Sequence, residues 1–340
     1  SGRRSGLLPP RVGVSDIVRN SPTYRRQIEN LGWYFAINDY MDAKAYLDWR
    51  SGVRPRDGDP GWTQYNGELN YKWLNRFLAG RVNVRHRTFV DDSRYTNIAW
   101  SHTQQFNEQR RISANLQYAG DTRLLAQSTT NAFESSSNIV SSLSYSDRLG
   151  PFALSAGGDR TQFTGRPYIT QSFPRLSLTA EPMNVGDWLT WTPKFSFNRT
   201  ESLNDDRATG SVLFRYRLLE GGVLDSVRIL PDKRTMTTSF DTPLRIFGFN
   251  WQNSFTIQDQ VDEAPRLIQL IGDDPSAPRT PFLFQDWYST DVDWQTSFSL
   301  PNFLPGRWNV TPSVSLANVA SGPFAIRNRL SGGEWVYQTK

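Results

Sequence analysis

The chain has 340 residues and a net charge of +5, carried by isolated Arg and Lys rather than a basic run, which excludes the footprint of a nucleic-acid-binding protein. Only 37% of the residues are apolar and the mean hydropathy is −0.56, yet 13% are aromatic, more rings than a disordered polar chain carries. No run approaches the roughly 18 apolar residues of a transmembrane helix, and the absence of cysteine removes disulfides, thiolate metal sites and a cysteine nucleophile.

Few apolar residues, many of them rings, suit a wall of strands in which every second side chain meets lipid and Trp and Tyr gather at headgroup level. Residues 1–27, with Pro9, Pro10 and Pro22, read as a lead-in segment, and residues 28–340 as the N-terminal part of a barrel. The chain opens on Ser1, Gly2, Arg3 and Arg4 without a charged-then-apolar leader, so the expectation is a fragment whose export signal was removed or lies upstream. Weaker alternation over 32–38 and 42–50 flanks a turn at Asn38, Asp39 and Tyr40. Residues 63–73 then place Thr63, Tyr65, Gly67, Leu69, Tyr71 and Trp73 on one face and Gln64, Asn66, Glu68, Asn70 and Lys72 on the other, the period-two signature of a strand. After a polar turn at Asn75 and Arg76, residues 78–88 oppose Leu78, Gly80, Val82, Val84 and His86 to Ala79, Arg81, Asn83, Arg85 and Arg87, which completes a hairpin.

The pattern repeats downstream. Clear copies fall at 111–118, 152–157, 247–258, 290–300 and 308–316, and weaker ones at 95–104, 138–146, 173–180, 188–198 and 234–242. The total is about fourteen strands, most near the length a bilayer-spanning strand needs. Short connections at Asn107 to Gln109, Asp147 to Gly150, Pro243 to Ile246 and Pro301 to Gly306 alternate with long ones at 51–62, 119–134, 200–233 and 259–286. That alternation is expected if turns face one compartment and loops the other. Residues 211–230 fit a hairpin or a short helix within their loop, and Glu334 to Tyr337 start another strand. The expected fold is an all-β, antiparallel, up-and-down transmembrane barrel seen in part. A soluble sandwich or propeller also alternates, but the polar faces here carry long charged and amide side chains, as a wet lumen needs.

Catalytic and metal-binding patterns are sparse. His86 and His102 each stand in a strand without a second histidine at ligand spacing, so neither a metal centre nor a triad is expected, and no cofactor. Asp291 and Asp293 share a strand face in a spacing that glycoside hydrolysis could use, against the plainer reading of two lumen carboxylates. Asn204, Asp205 and Asp206, and Asp273 with Asp274, lack the spaced ligands of a calcium loop. The candidate lumen-facing residues are Lys72, Arg81, Arg85, Arg87 and Arg111, cations that favour phosphorylated headgroups if they do more than keep a lumen wet. Tyr65, Leu69, Tyr71, Val82, Val84, Leu116, Trp251, Trp294, Val310 and Val314 are expected to face lipid.

The opening SGRRSGLLPPRVG and the following LGWYFAINDYMDAKAYLDWRSG resemble the approach to the barrel domain of the lipopolysaccharide-assembly, or organic-solvent-tolerance, family LptD. In that family a Gly-Arg-x-x-Gly-Phe/Leu-x-x-Pro segment precedes the first strand and an Asn-x-Asp turn links it to the second. The matching positions are Gly2, Arg3, Gly6, Leu7, Pro9 and Pro10, then Asn38, Asp39 and Asp42. FPRLSLTAEP and WLTWTPKFSFN are similar to mid-barrel strands of the same family.

The resemblance implies a barrel of about 26 strands that carries lipopolysaccharide into the outer leaflet of the bacterial outer membrane, with a jelly-roll domain upstream. Its implied partners are lipopolysaccharide, outer-membrane lipid, a plug lipoprotein inside the barrel and a periplasmic bridge protein. The implied exit is a lateral gate between first and last strands, for which Gly32, Trp33, Tyr34, Phe35 and Ala36 form the candidate strand, taken as short and weakly held because Pro9, Pro10 and Pro22 precede it and Gly32 adds no packing. The family's cysteines and its gate-loosening proline have no match here. These readings make the chain a transport component and not an enzyme, with a general or substrate-specific porin as the alternative.

Overall fold

A computed structural model describes residues 3–14, 25–52, 61–120, 138–207, 214–218, 224–264, 266–269, 281–300, 311–317, 325–330 and 335–339. These residues form antiparallel β-structure with one 3₁₀ turn, Leu74–Arg76, and no α-helix among them. The chain divides into two compact units, residues 1–145 with 161–166, and residues 146–160 with 167–340.

The first unit contains β1 (Gly6–Leu7), β2 (Arg11–Val14), β3 (Arg26–Asn38), β4 (Met41–Arg50), β5 (Trp62–Trp73), β6 (Leu78–Phe89), β7 (Arg94–Gln105) and β8 (Arg111–Ala119). Strands β3 to β8 pair each with the next, the meander that alternation and tight turns dictate. The turns are held by short polar side chains folding back on their own backbone. The Asn38 carboxamide oxygen accepts the Tyr40 N–H at 2.8 Å, and Asn107 accepts those of Gln109 and Arg110 at 2.9 and 2.6 Å. In the β6–β7 turn, the Ser93 hydroxyl and N–H hold the Asp91 carboxyl below the usual carboxylate range.

β3 is longer than the alternation predicts, starting at Arg26 rather than near residue 32. A bulge hides its first half: the register with β4 jumps between Ile28 and Leu31, and Asn30 lies at φ 63°, a left-handed conformation that Asn tolerates. The lead-in segment is also partly strand, because β1 and β2 pair antiparallel with β3.

Strands β9 (Ile139–Leu149) and β10 (Phe152–Gln162) form a hairpin that turns through Gly150 at φ 62°. The second unit continues with β11 (Ile169–Ala180), β12 (Met183–Val185), β13 (Leu189–Trp191), β14 (Lys194–Leu203), β15 (Phe214–Leu218), β16 (Leu224–Arg228), β17 (Lys233–Asp241), β18 (Leu244–Ile246) and β19 (Phe249–Asp262). It ends with β20 (Arg266–Gln269), β21 (Pro281–Ser299), β22 (Ser313–Ala317), β23 (Ala325–Leu330) and β24 (Trp335–Thr339). Its wall runs β11, β14, β17, β19, β21 in space.

Two expectations change here, and a choice left open is decided. The strand foreseen over 188–198 is two strands, since Thr192 and Pro193 interrupt the ladder, and Pro has no N–H to donate. Pro243 to Ile246 is not simply a turn: Leu244–Ile246 pairs with β13 and β19, and the reversal falls at Phe247 and Gly248, with φ 48° and 84°. Residues 211–230 contain a hairpin, β15 with β16, rather than a helix. Trp308 and Val310 lie outside the described residues.

Candidate functional site

Directly opposed residues of an antiparallel pair share a face, so the register sorts every side chain of unit 1. One face collects rings and aliphatics, in rows such as Ala43–Leu69–Val82–Trp100–Leu116 and Ala45–Gly67–Val84–Ile98–Tyr118. Although apolar, these side chains remain open, with Tyr65 55% and Tyr118 48% exposed, and no large side chain among the described residues is fully buried. Such a surface needs a cover of hydrocarbon.

Near the short turns the same face becomes amphipathic. The Tyr71 hydroxyl accepts the Trp100 indole N–H at 2.9 Å and pairs with His102 Nδ1 at 2.8 Å. Tyr40 stacks on Trp73 with ring centroids 6.2 Å apart. Gly80 makes this cluster possible: a Cβ there would stand 2.2 Å from the Tyr71 ring that crosses it. His102 is thus a rim residue bonded to a phenol, and His86 pairs with the Thr96 hydroxyl at 2.9 Å.

The opposite face is ionic and amide-rich. Asp48 is its hub, accepting the Asn30 backbone N–H at 2.8 Å and the Asn66 amide at 2.7 Å, with Gln64 at 3.4 Å. Glu68 takes Lys44 at 3.3 Å and the Tyr46 hydroxyl at 3.1 Å. Asp42 accepts Asn70 and Arg3, both at 2.8 Å.

All five candidate cations stand on this face. The register sets Arg81, Arg85 and Arg87 in one column on β6, Lys72 on the neighbouring β5 and Arg111 two strands away on β8. Their surroundings differ. Arg87 lies 4.2 Å over the Trp62 ring and donates to Gln64 at 2.9 Å, beside a small apolar cluster of Phe89, Tyr95, Ala119 and Ile139. It is a packed side chain at the loop end rather than a free charge. Arg81 bonds the neutral Asn70 at 2.6 Å, and the exposed Arg85 has no hydrogen bond or ion pair among the described residues.

The gate candidate also has a definite environment. Gly32 does not loosen β3: a Cβ there would stand 2.1 Å from the Ala45 carbonyl oxygen, so glycine permits β3 and β4 to approach closely. On the other edge, β1 pairs Gly6 with Tyr34 and Leu7 with Trp33, and β2 pairs Arg11 to Val14 with Glu29 to Arg26. Leu8 N–H donates to the Gly32 carbonyl at 2.9 Å and Ser5 Oγ accepts the Ala36 N–H at 2.9 Å. Between β1 and β2, Pro9 and Pro10 interrupt the strap where Asn30 bulges from β3, and the Asn30 amide donates to the Pro9 carbonyl at 3.1 Å.

The family described as LptD protein matches residues 1–207, more than half of the chain. The chain belongs to the LptD family. Membership and the all-β antiparallel wall together place it in the bacterial outer membrane, in a transport role. No curated protein matches. A solved structure, a bacterial polysaccharide outer membrane secretin, is similar at 10% identity over 85% of this chain and 87% of that one, with a TM-score of 0.25, too low to carry an argument.

Lys44 and Asp48, which the sequence analysis did not single out, anchor two of the hydrogen-bond groups on the polar face of unit 1. Parity along 42–50 was the available signal, since it puts Asp42, Lys44, Tyr46, Asp48 and Arg50 on one face.

Proposed function

We propose that this chain is part of the wall through which lipopolysaccharide is inserted into the outer leaflet, with the ionic face lining the lumen, the ring face meeting lipid, and β3 forming one side of the lateral gate. The observation that carries this reading is the Arg81 and Arg85 column in a chain of the LptD family. Arg85 is exposed and has no acid of its own among the described residues, so a phosphorylated headgroup crossing the lumen would meet a guanidinium suited to bind it and release it. The plug lipoprotein and the periplasmic bridge protein are the partners this reading requires, and it assigns no chemical step to any side chain.

One ladder edge takes one partner. Residues 5–14 hold the same edge of β3 that a closing strand would need, so strap and closing strand compete for it. The test uses the full-length protein with Ala36→Cys and a cysteine at the facing residue of the closing strand. Oxidation is expected to stop lipopolysaccharide reaching the cell surface while the heat-dependent gel shift of a folded barrel persists. Continued export through the locked seam overturns the gate assignment.

A further inference from the structure

The ring face of unit 2 ends in charges. Starting from Phe249, its rows along β19 run through Trp251, Phe255 and Ile257, with Asn253 opposite Thr296 between the first two, joined across the register by Phe298, Trp294 and Val292 on β21 and by Phe195 and Phe197 on β14. From Phe249 to Ile257 is about 27 Å of strand, or roughly 20 Å of height at a tilt near 40°, close to the apolar belt of an outer-membrane wall. The next two rows on the same face contain Arg199, Asp259, Glu201 and Arg234. They lie at the end where the connections are long, between β14 and β17 and between β19 and β21.

These charges are not equivalent. Arg199 Nε donates to Glu201 Oε1 at 2.7 Å, and a second guanidinium nitrogen bonds the same oxygen. The other Glu201 oxygen accepts the Gln171 amide, so this carboxylate, whose side chain is 10% exposed, is satisfied. Asp259 accepts the Thr290 hydroxyl at 2.5 Å. Arg234, opposite Glu201 in the register, has no ion pair among the described residues, and its Nε is shielded from water without a hydrogen-bond partner. A shielded guanidinium nitrogen left unpaired is costly. Apolar residues interleave the charges: Met236 stands between Arg199 and Asp259, and the buried Val261 beside Arg234. Alternation of charge with apolar contact fits the boundary of headgroup and acyl chain better than open water.

We propose that Arg234, backed by the Arg199–Glu201 pair, is a docking site for the phosphate of a membrane lipid headgroup at the long-loop rim. The inference rests on the ring face meeting lipid, and its test separates the two ideas. Full-length protein, stripped of lipid in detergent, is offered dioleoyl phosphatidic acid or dioleoylglycerol, which share acyl chains and differ by the phosphate, and retained lipid is counted by native mass spectrometry. Wild type is expected to hold one phosphatidic acid well above the rest, resistant to inorganic phosphate. Arg234→Gln should weaken that molecule about tenfold, the loss of one charge-assisted contact, Arg234→Lys should do so partially, and Lys233→Gln on the opposite face should leave it unchanged. Equal retention by wild type and Arg234→Gln, equal retention of both lipids, or displacement by inorganic phosphate overturns the proposal. A nitroxide at Ile257→Cys reads the face separately: relaxation by oxygen but not by a water-soluble nickel complex supports lipid contact, and the reverse sinks the face reading itself.

Discussion

In unit 1 the face opposite the rings is crossed by long side chains that bind one another, whereas in unit 2 the rows opposite the rings alternate between mostly hydroxyl rows and rows with charged and amide side chains. Asp48, Gln64, Asn66, Glu68, Lys44, Arg81 and Arg87 form a cross-strand mesh over β4, β5 and β6. Across β14, β17, β19 and β21 the rows Ser196–Ser239–Thr256–Asp293 and Thr200–Thr235–Gln260–Ser289 are mostly hydroxyl, and they alternate with Lys194–Asp241–Ser254–Gln295 and Asn198–Thr237–Gln258–Asp291. Both faces are wettable, and both back onto a ring-rich side, so two-faced patterning alone makes the wall. What differs is how far the side chains are tied together: in unit 1 long amide and charged side chains bridge neighbouring strands and fix one another, while in unit 2 hydroxyl rows separate the rows that carry charges and amides.

The shared part of that comparison predicts the largest effect. Val82→Arg on the ring face should destabilise the refolded full-length barrel by about 2–4 kcal/mol if the site is near the bilayer midplane, and Asn83→Arg, one residue along, should cost far less. The same asymmetry is expected in unit 2 between Phe255→Arg and Thr256→Arg. Urea titration of protein refolded into lipid reads all four. Equal costs within either pair would mean that the two faces are not lipid and water there.

The contrasting part predicts an intermediate effect. Asp48→Ala leaves the amides of Asn66 and Gln64 and the backbone N–H of Asn30 without their acceptor, a loss of about 1–3 kcal/mol. Asp241, which accepts only the Ser254 hydroxyl at 2.7 Å among the contacts described, should cost about 1 kcal/mol or less as Asp241→Ala. If the second change matches the first, the mesh of unit 1 is no more cooperative than the isolated contacts of unit 2.

How much of this was legible in the sequence depended on uninterrupted alternation. β5 and β6 were readable almost to the residue because eleven or so positions alternate without a break and a polar turn separates them. β3 was read from its second half only, since Glu29 and Asn30 stand against the single Asp48 of β4, and that one extra residue inverts the parity on which the reading depends. β18 spans three residues, too few for a period to show, and β1 and β2 sit in a Gly- and Pro-rich stretch whose composition says linker although its backbone completes a ladder. Parity also put Lys72, Arg81, Arg85, Arg87 and Arg111 on one face correctly. It could not tell that Arg87 is packed, because its partners Trp62 and Gln64 come from the next strand and only the register brings them together.

The smallest effect should come from the hydroxyl rows of unit 2. Ser239 and Thr256 are directly opposed on β17 and β19, with their hydroxyls 3.1 Å apart, and neither is fully buried. Removing one hydroxyl leaves the other able to bind water, so the loss is the net worth of a single neutral hydrogen bond beside solvent, about 0.5 kcal/mol. Ser239→Ala should therefore unfold in urea almost as wild type does, and the double change with Thr256→Ala should be additive or slightly better, since no polar group is stranded. If instead Ser239→Ala costs as much as Asp48→Ala, the hydroxyl rows are not a solvated lining but a desolvated contact surface. Something other than water would then have to cover those rows in unit 2.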